Sequence, residues 1–223
     1  SITVTDQATK TQLDTINGYT TTAVSVATIT GTLTEITALH NDAGLDISGA
    51  LINVTDAVSL SQANTLNGYT TGQVTLTSVS DTVSNITAID ALTTSEVTMA
   101  AATVTVTDAA TLANANAING FTTGQVTLNS VSDTVSNIGS IDGLTTSEVT
   151  MAAAAVNVTD TASLAQANTL NGYTTGQVTL TNVSDTVANL ATLAAINNSE
   201  VTIAGAAISV SDAATKANAD TIN

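Results

Sequence analysis

The sequence contains no cysteine, no proline and no tryptophan, and it has only three tyrosines and one phenylalanine in 223 residues. Without cysteine, neither a disulfide framework nor a thiol site can form. Because aromatic side chains are scarce, the core must be built from Val, Leu, Ile and Ala instead of large aromatic anchors. A thin core between repeated layers does not need such anchors. The composition therefore favours a repeat architecture.

Positive charge is almost absent as well. Two lysines and no arginine stand against 18 acidic residues, which gives a formal net charge of −16. Nucleic acids and anionic membranes are bound through Lys and Arg that neutralise phosphate, so this balance argues against both as partners. No stretch approaches the roughly 18 consecutive apolar residues of a transmembrane helix, and we expect no membrane insertion.

The residues that commonly carry catalysis are also missing. His40 is the only histidine, and the chain offers no arginine or second histidine to assist it. As a general base it would lack an orienting partner. No nucleophile elbow or phosphate-binding loop is present. We therefore predict that the protein is not an enzyme, and that His40 is an exposed variant of Asp90.

What the sequence does contain is a recurring stretch. It reads Asn-Gly-Phe-Thr-Thr-Gly-Gln-Val-Thr-Leu from Asn119 to Leu128, and versions of it begin at positions 17, 67, 119 and 171, in steps of 50, 52 and 52. A fixed period of this size is typical of repeat proteins. We divide the chain into a single array of repeats at approximately 1–50, 51–102, 103–154 and 155–206, with a partial repeat at 207–223.

Each 52-residue repeat holds two related units, each marked by a Val-Thr-Asp or Val-Ser-Asp triplet, whereas the first repeat has Ile29-Thr30-Gly31 at the second place and lacks that aspartate. Alternation in segments such as Val-Thr-Leu predicts a short strand before the triplet. The aspartate is expected to cap the helix that follows it. Helical spacing of Leu112, Ala115 and Ile118 predicts that helix. Gly120 and Gly143 stand where left-handed helix C-caps are common.

A short strand and a helix of about ten residues are each marginal alone, so every unit must bury its apolar face against its neighbours. We predict an α/β solenoid of about eight strand-helix units, two per 52-residue repeat, with a parallel sheet on one side and short helices on the other. An all-β solenoid is the alternative, because Thr, Val and Asn are mediocre helix formers.

A longer period is superimposed on this one. Residues 1–17 match residues 207–223 at an offset of 206, and the two lysines, Lys10 and Lys216, occupy the same place in both segments. The chain thus holds one long repeat and the beginning of the next. We expect a longer parent protein built from several such repeats.

Acidic residues recur once per unit or once per repeat, so stacking would align them. Aligned carboxylates repel, and Ca²⁺, which takes six to eight oxygen ligands, would relieve that repulsion. The candidate calcium ligands are Asp56, Asp81, Asp108, Asp133, Asp160 and Asp185 in the triplets, and Asp46, Glu96, Glu148 and Glu200 before the strands. No known calcium-loop motif is present, and helix capping explains the triplet aspartates without a metal, so both interpretations stay open.

Threonine also recurs at one strand position, directly after the first valine. The members of this candidate surface ladder are Thr75, Thr98, Thr127, Thr150, Thr179 and Thr202. Flat threonine arrays can bind ice or glycans or mediate self-association. The alternative is that Thr simply suits an exposed strand face.

The triplets, together with Val-Ser-Asp-Thr-Val-Ser-Asn-Ile, resemble the repeats of giant secreted surface proteins of bacteria, notably marine cyanobacteria. The resemblance covers nearly the whole chain. It implies a structural repeat segment of an extracellular filament, adhesin, surface layer or biofilm matrix at the cell surface, acting by self-assembly or as a rigid spacer. The partners would be other copies of the chain, end to end or side by side, and glycans. The alternative function is a ligand-binding solenoid for calcium, glycan or ice.

Overall fold

A computed structural model describes residues 2–92, 96–144, 148–196, 200–215 and 217, so Lys216 and the segment 218–223 of the partial repeat lie outside the described residues. Strands and helices alternate along the chain. The strands are β1 (Ile2–Ala8), β2 (Val24–Gly31), β3 (Leu45–Asp46), β4 (Leu51–Val58), β5 (Val74–Asp81), β6 (Val97–Thr98), β7 (Thr103–Ala110), β8 (Val126–Asp133), β9 (Val149–Thr150), β10 (Ala155–Ala162), β11 (Val178–Asp185), β12 (Val201–Thr202) and β13 (Ala207–Val210). The helices are α1 (Lys10–Gly18), α2 (Leu33–His40), α3 (Leu60–Asn67), α4 (Val83–Asp90), α5 (Leu112–Phe121), α6 (Val135–Asp142), α7 (Leu164–Asn171) and α8 (Val187–Ala195).

We call each helix, together with the long strand that leads into it, a coil, and number the coils 1 to 8 by their helices. Coil 1 is β1–α1, coil 2 is β2–α2, coil 3 is β4–α3 and coil 4 is β5–α4. Coil 5 is β7–α5, coil 6 is β8–α6, coil 7 is β10–α7 and coil 8 is β11–α8. The short strands β3, β6 and β9 precede the odd coils 3, 5 and 7.

The chain divides into two compact units, residues 1–105 with 120–125 and residues 106–119 with 126–223. In the first, the strand order is β1-β2-β4-β5, with β3 beside β2 and β6 beside β5. In the second, the order is β8-β10-β11-β12, with β9 beside β8 and β13 beside β11. These pairs are parallel, and a helix connects each long strand to the next. The predicted α/β solenoid arrangement is confirmed.

The long strands extend further than the three residues that the sequence suggested. In β8, the buried side chains are Val126, Leu128 and Val131, so alternation slips by one residue midway. In β10, a bulge between Val158 and Thr161 shifts the register against β11. A bulge re-aims the side chains at the extra residue, and Asp160 lies within this one.

Aliphatic side chains on neighbouring strands form continuous buried rows. In the first unit one row runs through the cross-strand partners Ala8, Ile29, Ile52, Val74 and Val97, each 4% exposed or less. The row begins at the end of β1 and finishes at the start of β6. The register therefore advances along the strands from one coil to the next. Residues at equivalent positions in successive repeats consequently lie on different rows.

The helices bury the residues that helical spacing indicated. Ala115 and Ile118 are fully buried in α5, as are Ile138 and Ile141 in α6. The prediction of left-handed glycine caps is wrong. Gly120 lies within α5, and Gly143 has a φ of −70°. The chain leaves α6 in a right-handed turn, closed by hydrogen bonds from Gly143 N to the Gly139 carbonyl and from Leu144 N to the Ile141 carbonyl.

Candidate functional site

The repeated polar side chains converge on the interface between successive coils. In coil 6, Asp133 Oδ2 accepts a hydrogen bond from the N–H of Leu112, the first residue of α5, at 2.9 Å. Its Oδ1 accepts from Thr134 N and from Asn137 Nδ2, both at 2.8 Å. One carboxylate thus joins the N-termini of two helices. Asp81 makes the same contacts with Leu60, Thr82 and Asn85, as does Asp185 with Leu164, Thr186 and Asn189.

Coils 3 and 7 use the aspartate in their strand bulge for a related contact, and Asp212, which follows β13, makes the same contact. Asp56 Oδ1 accepts from the N–H of Leu33, the first residue of α2, at 2.9 Å. Asp160 and Asp212 accept in the same way from the first residues of α6 and α8, Val135 and Val187, at 2.9 Å. Asp108 occupies the corresponding position in β7 and is exposed. We call these inter-coil contacts of Asp56, Asp81, Asp133, Asp160, Asp185 and Asp212 the aspartate clips.

The clips correct the prediction that each aspartate caps the helix following it. The N-cap residues are Ser or Thr, for example Ser59 and Thr82, whose hydroxyls accept from the backbone N–H three residues on. The inter-coil bond of each aspartate goes to the helix of the preceding coil. The reason is topological, because parallel stacking places the end of each long strand beside the N-terminus of the neighbouring helix.

The clips of the even coils stabilise the charged carboxylate. Burial raises the pKa of Asp133, but the hydrogen bonds from Leu112 N, Asn137 and Thr134 N outweigh it, and the net pKa lies below the ordinary value. For Asp81 too, hydrogen bonds outweigh burial and the net pKa lies below the ordinary value. For Asp185, the bond from Leu164 N is the largest cause of the lowered pKa. These side chains are therefore ionised at neutral pH, and the clips are charge-assisted hydrogen bonds.

The Thr-Thr-Gly segments that follow α3, α5 and α7 form a second contact between successive turns of the stack, with the loop that precedes the long strand of the same coil. Thr122, 7% exposed, donates its hydroxyl to the Ala102 carbonyl at 2.6 Å and accepts from Gly124 N at 2.9 Å. Thr123 donates its N–H and its hydroxyl to the Ala100 carbonyl, at 2.8 and 3.1 Å. We call this the threonine latch. It recurs at 70–72 on Ser48 and Ala50, and at 174–176 on Ala152 and Ala154.

The latch explains the last glycine of the repeated stretch. A Cβ on Gly124 would lie 2.2 Å from the Ala102 carbonyl oxygen, and one on Gly72 would lie 2.4 Å from that of Ala50. Only glycine allows this approach of two backbones. In the first repeat, Thr22 stands at this position, and its N–H donates to Thr20 Oγ1 at 3.0 Å.

Replacing Thr122 with Val should lower the free energy of unfolding by about 1.5 kcal/mol, because the Ala102 carbonyl and the Gly124 N–H would both lose a buried partner. Thr123→Val is the matched control, since its hydroxyl is exposed and its N–H bond is kept, and we expect less than about 0.5 kcal/mol. Urea denaturation would measure both. Equal effects would contradict a special role of the buried hydroxyl.

The helices α3, α5 and α7 each end in an aromatic residue, or are followed by one, that lies against the C-terminal end of the preceding helix. Tyr69 stacks on His40 with ring centroids 3.9 Å apart and an interplanar angle of 14°. Phe121 closes a cavity of about 80 Å³ beside Asp90, and Tyr173 one of about 110 Å³ beside Asp142. Burial raises the pKa of Asp90 and Asp142. His40 is exposed and takes the place of Asp90, but its stacking partner was not foreseen from the sequence.

The structure places the threonines of the predicted ladder in cross-strand pairs. Thr75 lies opposite Thr98, Thr127 opposite Thr150, and Thr179 opposite Thr202. On their other sides, Thr75 and Thr179 face Asn53 and Asn157. Each of the six threonines is half-buried. Because the register advances, Thr150 and Thr179 are not cross-strand partners.

Most of the acidic residues before the short strands accept backbone hydrogen bonds through their main-chain carbonyls. The carbonyl oxygens of Glu96, Glu148 and Glu200 accept from the N–H groups of Val74, Val126 and Val178, at 2.6 to 2.7 Å. Their side chains are exposed. Asp46 accepts from Ser48 instead, and those bonds lower its pKa. Among the described residues, no three acidic or histidine side chains converge as a metal-binding group, and calcium binding remains a prediction.

Sequence reasoning missed the latch and the direction of the clips. The Thr-Thr-Gly triplet was visible as part of the repeated stretch, yet its role depends on carbonyl groups in the loop before the preceding long strand.

No protein-family model, curated protein or solved structure matches the chain. Among the described helices, none is long and apolar enough to cross a membrane. The function must therefore be inferred from the inter-coil contacts.

Proposed function

We propose that the chain is a structural repeat segment of an extracellular filament, adhesin, surface layer or biofilm matrix, and that its role is to form a stiff stacked scaffold. The aspartate clips carry this proposal. The residues that recur most regularly, and that would be the natural candidates for a ligand site, hold successive coils together. Their repetition is accounted for by stacking alone.

The remaining features agree with such a role. The core consists of aliphatic rows that extend from strand to strand, so adding coils extends the same core. The net charge of −16 keeps a long chain soluble in salt water and disfavours binding to nucleic acid. Where coil 3 meets coil 2, the Asp56 clip, the Thr70 latch and the stacking of Tyr69 on His40 occur together. Flexing at one coil boundary would therefore break several contacts together.

Immunogold electron microscopy of intact source cells tests the location and form of the protein. Antibodies raised against the purified chain should label filaments, a surface layer or extracellular matrix without permeabilisation. The matched control is permeabilised cells, which should show no additional internal pool beyond protein in transit. Label found only after permeabilisation would contradict the proposal.

A further inference from the structure

Two carboxylates occupy a position that is unfavourable for the helices that carry them. Asp90 and Asp142 are the last residues of α4 and α6. The C-terminal end of a helix carries partial negative charge, so an anion there is repelled and a cation is favoured. Burial alone raises the pKa of both side chains, and no described residue donates a hydrogen bond to either carboxylate. Unlike the aspartates of the clips, these two are not accounted for by stacking of the coils.

Each of these aspartates borders a small cavity whose other walls include an aromatic ring and a methionine. The Asp90 niche, of about 80 Å³, is lined by residues including Asp90, Met99 and Phe121. The Asp142 niche, of about 110 Å³, is lined by residues including Asp142, Met151 and Tyr173. Each niche lies within one of the two compact units. A water molecule takes about 30 Å³, so either niche has room for one compact organic group.

The first repeat places a flat ring of its own where the Asp90 niche would lie. His40 stands at the position of Asp90, and Tyr69 stands at the position of Phe121. The imidazole of His40 stacks on the ring of Tyr69, with centroids 3.9 Å apart and planes at 14°. The face of this aromatic residue therefore accepts a flat nitrogen-containing group at the end of the preceding helix. With aspartate instead of histidine, that group is absent and a negative charge borders the cavity.

The only two methionines of the chain, Met99 and Met151, both line these niches. At the equivalent position the first repeat has Ile47 and the fourth has Ile203. Those two repeats also lack the aspartate, since His40 and Ala194 replace it. Methionine and aspartate thus occur together in this chain. An unbranched thioether side chain adapts its shape to a neighbouring group more readily than isoleucine does, which suits the wall of a binding site.

We propose that the Asp90 niche and the Asp142 niche each bind the guanidinium group of an arginine side chain from another protein. The guanidinium plane stacks on the ring of Phe121 or Tyr173, as the His40 imidazole stacks on Tyr69. Its N–H groups donate to the carboxylate of the niche. A guanidinium is flat, stacks on aromatic rings, pairs with carboxylates through two N–H groups and is weakly hydrated. The ammonium of lysine has no plane to stack and holds its water more strongly.

Charge and composition indicate a partner of a different sequence. The 223 residues contain no arginine, so the guanidinium comes from another molecule. The net charge of −16 attracts a basic protein surface over a distance. A guanidinium in the niche also removes both unfavourable features of the site, because it neutralises the anion at the helix end and gives the partly buried carboxylate its hydrogen-bond donors. The binding role goes beyond the scaffold, which needs neither aspartate.

Methyl-labelled methionine provides one NMR reporter for each niche, because Met99 and Met151 are the only methionines. The folded chain is titrated with N-acetyl-arginine-N-methylamide, whose only charge is the guanidinium. We expect both methyl signals to shift saturably at millimolar concentrations. The matched lysine derivative should bind about fivefold more weakly, since it cannot stack, and sodium chloride at equal concentration should not reproduce the shifts. Met99→Ile and Met151→Ile, which introduce the residue of the other repeats, assign the two signals.

Two variants of the Asp142 niche test the residues that form it. Asp142→Asn keeps the shape of the side chain and removes its charge, and it should weaken binding reported by Met151 by about tenfold. Tyr173→Leu removes the stacking surface and should also weaken binding at Met151. In both variants the Met99 signal should respond as in the unmodified chain, so each molecule contains its own control for folding and for non-specific effects.

Three results would overturn the proposal. These are methyl signals that do not shift with the arginine derivative, equal affinity for the lysine derivative, and a Met151 response that is unchanged in Asp142→Asn. Tighter binding of free arginine than of the capped derivative would overturn the assignment to a protein partner, because the free amino acid would then be the ligand. The scaffold role stands apart from these outcomes and is tested by surface labelling.

Discussion

Replacing Gly124 with Ala should lower the free energy of unfolding by about 3 kcal/mol, among the largest effects of any single methyl group in this chain. The added Cβ would lie 2.2 Å from the Ala102 carbonyl oxygen and 2.6 Å from its carbonyl carbon, and both belong to backbone that cannot rotate away. The loop must lift, which breaks the Thr122 bond to the same carbonyl.

Gly120→Ala is the matched control, four residues earlier in the same stretch. Apart from its chain neighbours and the nearby backbone of its own helix, no atom lies within 4 Å of a Cβ built there, and the residue is helical. We expect Gly120→Ala to stabilise the chain by about 0.5 kcal/mol or more, because Ala loses less backbone entropy. Hydrogen exchange should be faster at Thr123 and Val104 in the Gly124 variant alone. Similar behaviour of the two variants would contradict the latch.

Replacing Asp133 with Asn should lower the free energy of unfolding by about 2 kcal/mol at pH 7. The amide keeps the size of the side chain but loses its charge and one acceptor oxygen. Either Leu112 N–H, or Asn137 Nδ2 together with Thr134 N–H, then lacks its partner. Hydrogen bonds to charged groups contribute about 1.5–3 kcal/mol, and the helix N-terminus adds to the preference for an anion.

The effect of Asp133→Asn should depend on pH. Because the folded pKa of Asp133 lies below the ordinary value of 3.8, the carboxylate contributes stability that is complete above that value. The contribution is lost as the pH falls through the lowered folded pKa. Wild type and variant should therefore differ most near neutral pH and converge below about pH 3.8 in urea denaturation at a series of pH values. A constant difference down to acid pH would contradict the clip.

Asp142→Asn provides the control of opposite sign in the same coil. Burial raises the folded pKa of Asp142, so ionisation costs stability at neutral pH, and this cost is relieved as the pH falls through the raised value. Because the side chain stays partly exposed, we expect a gain of less than about 0.5 kcal/mol at pH 7. Destabilisation as large as that of Asp133→Asn would mean that the two carboxylates are not distinguished by their surroundings.

The elements of this fold could be predicted from local patterns. Ala115 and Ile118 follow helical spacing and are buried, and Val126 and Leu128 alternate and are buried. Stacking followed from the observation that no unit could bury its apolar face alone. These inferences succeed because periodicity reports which side of an element faces the core, whatever that core contains.

The contacts between coils could not be predicted in the same way. Asp133 stands next to the N-cap Thr134 in sequence, which suggests a bond within its own helix. It makes that bond, but it also accepts from Leu112, which is 21 residues away. Likewise, a glycine after a helix, such as Gly120, suggests a left-handed cap. It is Gly124 that must be glycine, because a Cβ there would collide with the Ala102 carbonyl. Register and bulges decide these partners, and a single sequence does not encode them in local spacing.

The direction of the clips has a consequence for how the chain is made. Leu33, Leu60 and Val135 each receive their carboxylate from a residue 21 to 25 positions later, and the Ala50 and Ala102 carbonyls are bonded by threonines 20 positions later. During synthesis from the N-terminus, each coil emerges with its helix start and its loop carbonyl still open to water. The next coil closes them. The stack therefore grows in one direction. The most recently made coil lacks the hydrogen-bond partners of its helix start and its loop carbonyl until the next coil has formed.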